Sequence, residues 1–97
     1  MAYEIVEGYQ VAPVTVWLDM APKIGAEIKR TGVMVTITQL RHKKAAEAFR
    51  YIMSEYDRSS AKARLSRPEM AAVAAAALNR HCWGTRVCAR LSGPRAA

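Results

Sequence analysis

Cysteine is scarce in this chain, with two residues in 97, Cys82 and Cys88. That excludes a secreted scaffold stapled by several disulfides. Long apolar runs are missing too. The longest covers residues 70–78, far short of the roughly 20 residues that span a bilayer, so no membrane association is expected. Glu4 and Glu7 stand where a signal peptide would carry Lys or Arg ahead of an apolar run. A cytoplasmic location is the expectation. There is no Gly-rich phosphate loop, no Gly-x-Ser-x-Gly and no motif of paired carboxylates. The expectation is therefore a non-enzymatic protein with no catalytic residues and no cofactor. Aromatic residues make up only 7%, and no pattern of a single-strand-binding sheet or a zinc finger is present.

Positive charge is missing from one stretch and concentrated in the rest. Residues 1–22 carry Glu4, Glu7 and Asp19 and no Lys or Arg, a charge of −3. Residues 23–97 carry all fifteen Lys and Arg against five acids, a charge of +10, and the whole chain has +7. A polarised basic surface attracts polyanions and steers them in at long range.

The apolar pattern predicts an α+β fold with the order β-β-α-β-α-α-β. A small, mostly antiparallel sheet of about three or four strands is covered by two or three helices. Residues 1–91 form one domain, and 92–97 form a flexible tail rich in Gly, Pro and Ala. Strands are expected at 3–7 and 9–18, separated by a turn or bulge at Gly8. A short helix over 20–30 starts at an Asp19 cap, with Pro22 in its first turn, and stops at Gly32. Val33, Val35 and Ile37 alternate with Met34, Thr36 and Thr38, the pattern of a half-buried strand over 33–38.

The strongest helical pattern covers 40–57. Ala45, Ala46, Phe49, Ile52, Met53 and Tyr56 share one face. Lys43, Lys44, Glu47, Arg50, Ser54 and Glu55 share the other, with Lys43 and Glu47 spaced to form an i, i+4 ion pair. His42 is expected to be packed or half-buried toward the apolar face. Ser66 and Glu69 match a capping box ahead of a helix over 67–82 that points Met70, Val73, Ala74, Ala77 and Leu78 inward. A last strand over 85–91 carries Arg86 and Arg90 on its outer face. Cys82 and Cys88 are expected to be reduced. With His81 they supply three metal-ligand types at a spacing that does not suit zinc, and no metal site is assigned.

Eight basic residues are candidates for binding: Arg41, Lys43, Lys44, Arg50, Arg58, Lys62, Arg64 and Arg67. They come from one helix face and the linker that follows, so a continuous stripe is expected. Such a stripe suits nucleic-acid phosphates, contacted without strong sequence preference. The alternative is a protein-interaction module of the phage or plasmid kind, an inhibitor or adaptor that binds an acidic surface of a host protein. An alanine-rich helix face or an open sheet edge is compatible with a homodimer.

Overall fold

A computed structural model describes residues 4–11 and 18–81. The expected strand over 85–91, residues 12–17 of the expected 9–18 strand, Cys82, Cys88 and the tail lie outside the described residues, and Leu18, the expected end of that strand, lies in a turn.

The chain opens with an antiparallel hairpin of β1 (Glu4–Val6) and β2 (Tyr9–Val11). Glu4 faces Val11, Ile5 faces Gln10 and Val6 faces Tyr9. Glu7 and Gly8 join the strands with φ of 52° and 89°. Two consecutive left-handed residues form the tight turn whose twist matches that of the strands it connects. Val6 and Val11 are buried, while Ile5 and Gln10 face out.

Four helices follow among the described residues. Helix α1 spans Ala21–Lys29, α2 spans Ile37–Leu40, α3 spans Ala45–Arg58 and α4 spans Arg67–His81, with a 3-10 turn at Ser60–Lys62. Pro22 sits in the first turn of α1 as expected, but the N-cap is Met20 and no side chain caps it. Asp19 stands one residue too early to reach the first-turn amides.

Residues 33–36 are extended, and Val33 and Val35 are buried. They nevertheless pair with no strand among the described residues, and the chain turns into α2 at Ile37. The expected strand over 33–38 is therefore corrected. Its alternation records one-sided burial, which an extended segment gains equally well by lying along helices. The backbone N–H of Thr36 donates to the Tyr51 hydroxyl at 2.9 Å, a side-chain partner in place of a ladder. The observed architecture is α+β, with four helices and a two-stranded antiparallel sheet among the described residues.

Helices α3 and α4 make the most extensive contact, joined by a short connection that turns the chain back on itself. Strand β1 packs on α3, β2 packs on α4, and α1 covers α4 from another side. Phe49, Ile52, Met53, Met70, Leu78, Ile24 and Ile28 meet in one buried cluster. The inward face expected for α3 is buried throughout, and Ala48 joins it. In α4, Ala71, Ala74, Ala75 and Ala77 are buried, small side chains that let neighbouring elements approach closely. The capping box forms: the Ser66 N–H donates to Glu69 Oε1 at 2.8 Å, and the Glu69 N–H donates to Ser66 Oγ at 3.4 Å. These bonds hold the Glu69 carboxyl below its usual range.

Gly32 joins α1 to the connection before α4. Its φ is +94°, and a Cβ there would lie 2.6 Å from the Lys62 carbonyl oxygen and 3.3 Å from Ala63 Cα. Both obstacles are backbone. Gly32→Val is therefore expected to cost at least the about 1–3 kcal/mol of a strained left-handed residue. Urea unfolding should show the loss as a lower midpoint, and an unchanged midpoint would refute the tight junction.

Candidate nucleic-acid interface

Helix α3 starts later than its sequence pattern suggests. Its N-cap is Lys44, with extended φ and ψ of −61° and 155° and no side-chain cap. Arg41, His42 and Lys43 therefore lie in the turn between α2 and α3. His42 is exposed, not packed, because it precedes the helix whose apolar face was to cover it. Arg41 Nε donates to His42 Nε2 at 3.2 Å. The Lys43–Glu47 pair does not form, because Lys43 is outside the helix and the i, i+4 spacing has no meaning there.

This corner gathers three cations directly ahead of the N-terminus of α3. The first intrahelical bond is donated by the Ala48 N–H to the Lys44 carbonyl at 2.8 Å. The amides of Ala45, Ala46 and Glu47 precede it and carry the partial positive charge of a helix start. Arg50 is exposed further along α3. Lys44 and Arg50 line a shallow groove of about 390 Å³ beside the hairpin, together with Glu4, Ile5, Ala46 and Glu47.

The other expected residues are distributed differently. Arg58 ends α3 and pairs with Glu55 at 3.3 Å. Arg67 begins α4 and is held from two sides: Nη1 donates to Glu7 Oε1 at 2.7 Å, and Nε donates to Asp57 Oδ1 at 3.1 Å. The bonds to Glu7 and then Asp57 raise its already high pKa further. Arg67 thus fastens the hairpin turn to the end of α3. Lys62 closes the 3-10 turn, and Arg64 lies in the connection after it. Both are exposed.

A continuous stripe along α3 is interrupted. Glu47 stands between Lys44 and Arg50, and Glu55 and Asp57 stand between Arg50 and the linker, with Glu47 and Asp57 exposed. The cations form two separate groups instead, one at 41–44 with Arg50, and one around Lys62 and Arg64. The second group includes two residues outside the eight candidates. The Arg64 N–H donates to the Thr31 carbonyl at 2.9 Å, and Arg64 Nη1 donates to the Arg30 carbonyl at 3.3 Å. These bonds bring Lys29 and Arg30, at the end of α1, beside the linker. A basic pair in the last turn of a helix is ordinary complementation of the macrodipole, so the sequence alone gave no reason to single it out.

A separate group of charges joins α1 to α4. Arg80 Nη2 bonds Glu27 Oε2, and His81 Nε2 lies 2.8 Å from Glu27 Oε1. Burial pushes the Glu27 carboxyl up, but the bonds from Arg80 and His81 outweigh it and leave it below its ordinary value. A carboxylate with a depressed folded pKa adds stability above its unfolded pKa, and that stability is lost as pH falls through the folded value. Glu27→Gln is therefore expected to flatten the acid side of the stability–pH curve by less than one proton. An identical acid limb in both proteins would contradict the clasp.

Among the described residues, no three His, Cys, Asp or Glu side chains gather to hold a metal ion. No described helix is long and apolar enough to cross a membrane. No protein-family model, curated protein or solved structure matches this chain.

Proposed function

We propose that this chain is a small, non-enzymatic, basic binding protein that contacts nucleic-acid phosphates. The contact centres on Arg41, Lys43 and Lys44 and extends to Arg50, while Lys62 and Arg64 add only long-range attraction and do not touch the nucleic acid. The observation that carries this reading is the corner ahead of α3. There, three cations without a carboxylate within 4 Å among the described residues adjoin a helix start that no side chain caps. A helix N-terminus receives a phosphate through its free amides, and lysines receive it as point charges without reading a base. The pairing of Arg58 and Arg67 with acids supports the same division of labour. Arg67 ties the hairpin to the end of α3, Arg58 is engaged within its own helix, and the unpaired cations face the ligand.

The test is fluorescence anisotropy with labelled oligonucleotides of random sequence, single- and double-stranded, from low to physiological salt. The reading predicts micromolar or tighter binding that persists at physiological salt and varies little with sequence. The slope of log affinity against log salt should correspond to about three or four phosphates at −0.9 each on duplex. Binding seen only at low salt would mean that the net charge acts nonspecifically, and the reading would fall.

A further inference from the structure

A second depression lies away from the α3 corner. The end of α1, the connection before α4 and one face of α4 enclose about 370 Å³ lined by Glu27, Arg30, Thr31, Arg64, Leu65 and Val73. Leu65 and Val73 are half-buried and pack on the core while still lining this space. The Thr31 hydroxyl is already engaged with the Ile28 carbonyl at 2.6 Å. Arg30 and Arg64 stand exposed at the rim, with Lys29 and Lys62 exposed nearby. Neither Arg30 nor Arg64 has a carboxylate within 4 Å among the described residues. The one acid in the lining, Glu27, is held by Arg80 and His81 and so does not neutralise the rim.

An apolar floor under a cationic rim suits a ligand that is apolar at one point and negative around it. A phosphate backbone uses the rim and leaves Leu65 and Val73 wet. A nucleobase would want an aromatic partner to stack on, and no aromatic residue lines the space. A peptide uses both features. One aliphatic side chain covers Leu65 and Val73, and flanking carboxylates take the two guanidiniums, Arg being well suited to bidentate carboxylate pairing.

We propose that the Arg30–Arg64 groove docks an acidic segment of a partner protein that inserts one apolar side chain against Leu65 and Val73. This site goes beyond the nucleic-acid reading and does not depend on it, since Arg41, Lys43 and Lys44 take no part.

The probe is a library of short, labelled peptides in which one Leu, Ile, Met or Phe is flanked by Asp and Glu, screened against the full chain at physiological salt. The selected peptide is expected to shift the methyl resonances of Leu65 and Val73 in NMR spectra. Exchanging its apolar residue for serine should weaken binding about tenfold or more, as should Arg30→Glu. Lys43→Glu/Lys44→Glu should leave peptide affinity unchanged, and random oligonucleotides should not displace the peptide. The proposal is overturned if no peptide is selected, if the serine form binds equally well, or if the methyl shifts are absent. It is also overturned if oligonucleotides displace the peptide, which would make the groove a polyanion site. Loss of oligonucleotide binding alone would leave the groove standing, so the two readings fail separately.

Discussion

Phe49→Ala is expected to lower stability by about 3–5 kcal/mol. Phe49 is fully buried and heads the largest side chains of the core. Its ring lies 6.2 Å from that of Tyr9 at an interplanar angle of 32°, so it joins the hairpin to α3. Tyr9 in turn donates its hydroxyl to the Pro68 carbonyl at 3.2 Å, at the start of α4. Removing the ring leaves a cavity where the hairpin, α3 and α4 converge, and these elements are tied to one another from several sides and have little freedom to close it. For a domain with about 5–15 kcal/mol in total, such a loss brings unfolding within reach at moderate temperature. Urea unfolding should show a much lower midpoint with an unchanged slope. A loss under about 1 kcal/mol would mean that Phe49 is not the common support described here.

The second large effect concerns the ligand. Replacing Arg41, Lys43 and Lys44 together by alanine is expected to reduce the salt slope of duplex binding by about three units, and affinity at physiological salt roughly a hundredfold. The change should be the same for every sequence tested, because cations on phosphates position a protein and do not read bases. Arg58→Ala and Arg67→Ala should leave the slope unaltered. Their guanidiniums are already paired with Glu55, and with Glu7 and Asp57, so they have no counterion to release from the nucleic acid. If all five substitutions lower the slope alike, the protein binds through its overall charge and the α3 corner has no special part.

The contrast between these two sets of arginines was not legible in the sequence. Arg67 meets Glu7 across 60 positions, and Arg80 meets Glu27 across 53. No local spacing encodes such pairs, so a run of basic residues at 58–67 reads as one uniform linker until the fold assigns its acids. Local periodicity was informative where one helix face carries it. Ala45, Ala46, Phe49, Ile52, Met53 and Tyr56 are all buried, because a 3.6-residue repeat leaves few other ways to hide them. The capping box of Ser66 and Glu69 and the turn at Gly8 are likewise short-range devices and formed as expected. The segment 33–36 went the other way. Two alternating valines state which side is buried and not what covers it, and here helices take the place of a neighbouring strand. The start of α3 was misplaced for a related reason. Its polar flank from Arg41 to Lys44 continues the charge pattern of the helix without sharing its backbone, and no capping side chain marks the boundary.

The most direct measurement is an NMR titration of the ¹⁵N-labelled full chain with a random-sequence duplex at physiological salt. The proposed interface predicts that the largest amide shifts fall on residues 41–47, with a smaller response at Arg50 and little change at residues 30–32 and 64–65. Shifts that are absent, spread evenly over the basic surface or centred on the Arg30–Arg64 groove would contradict it.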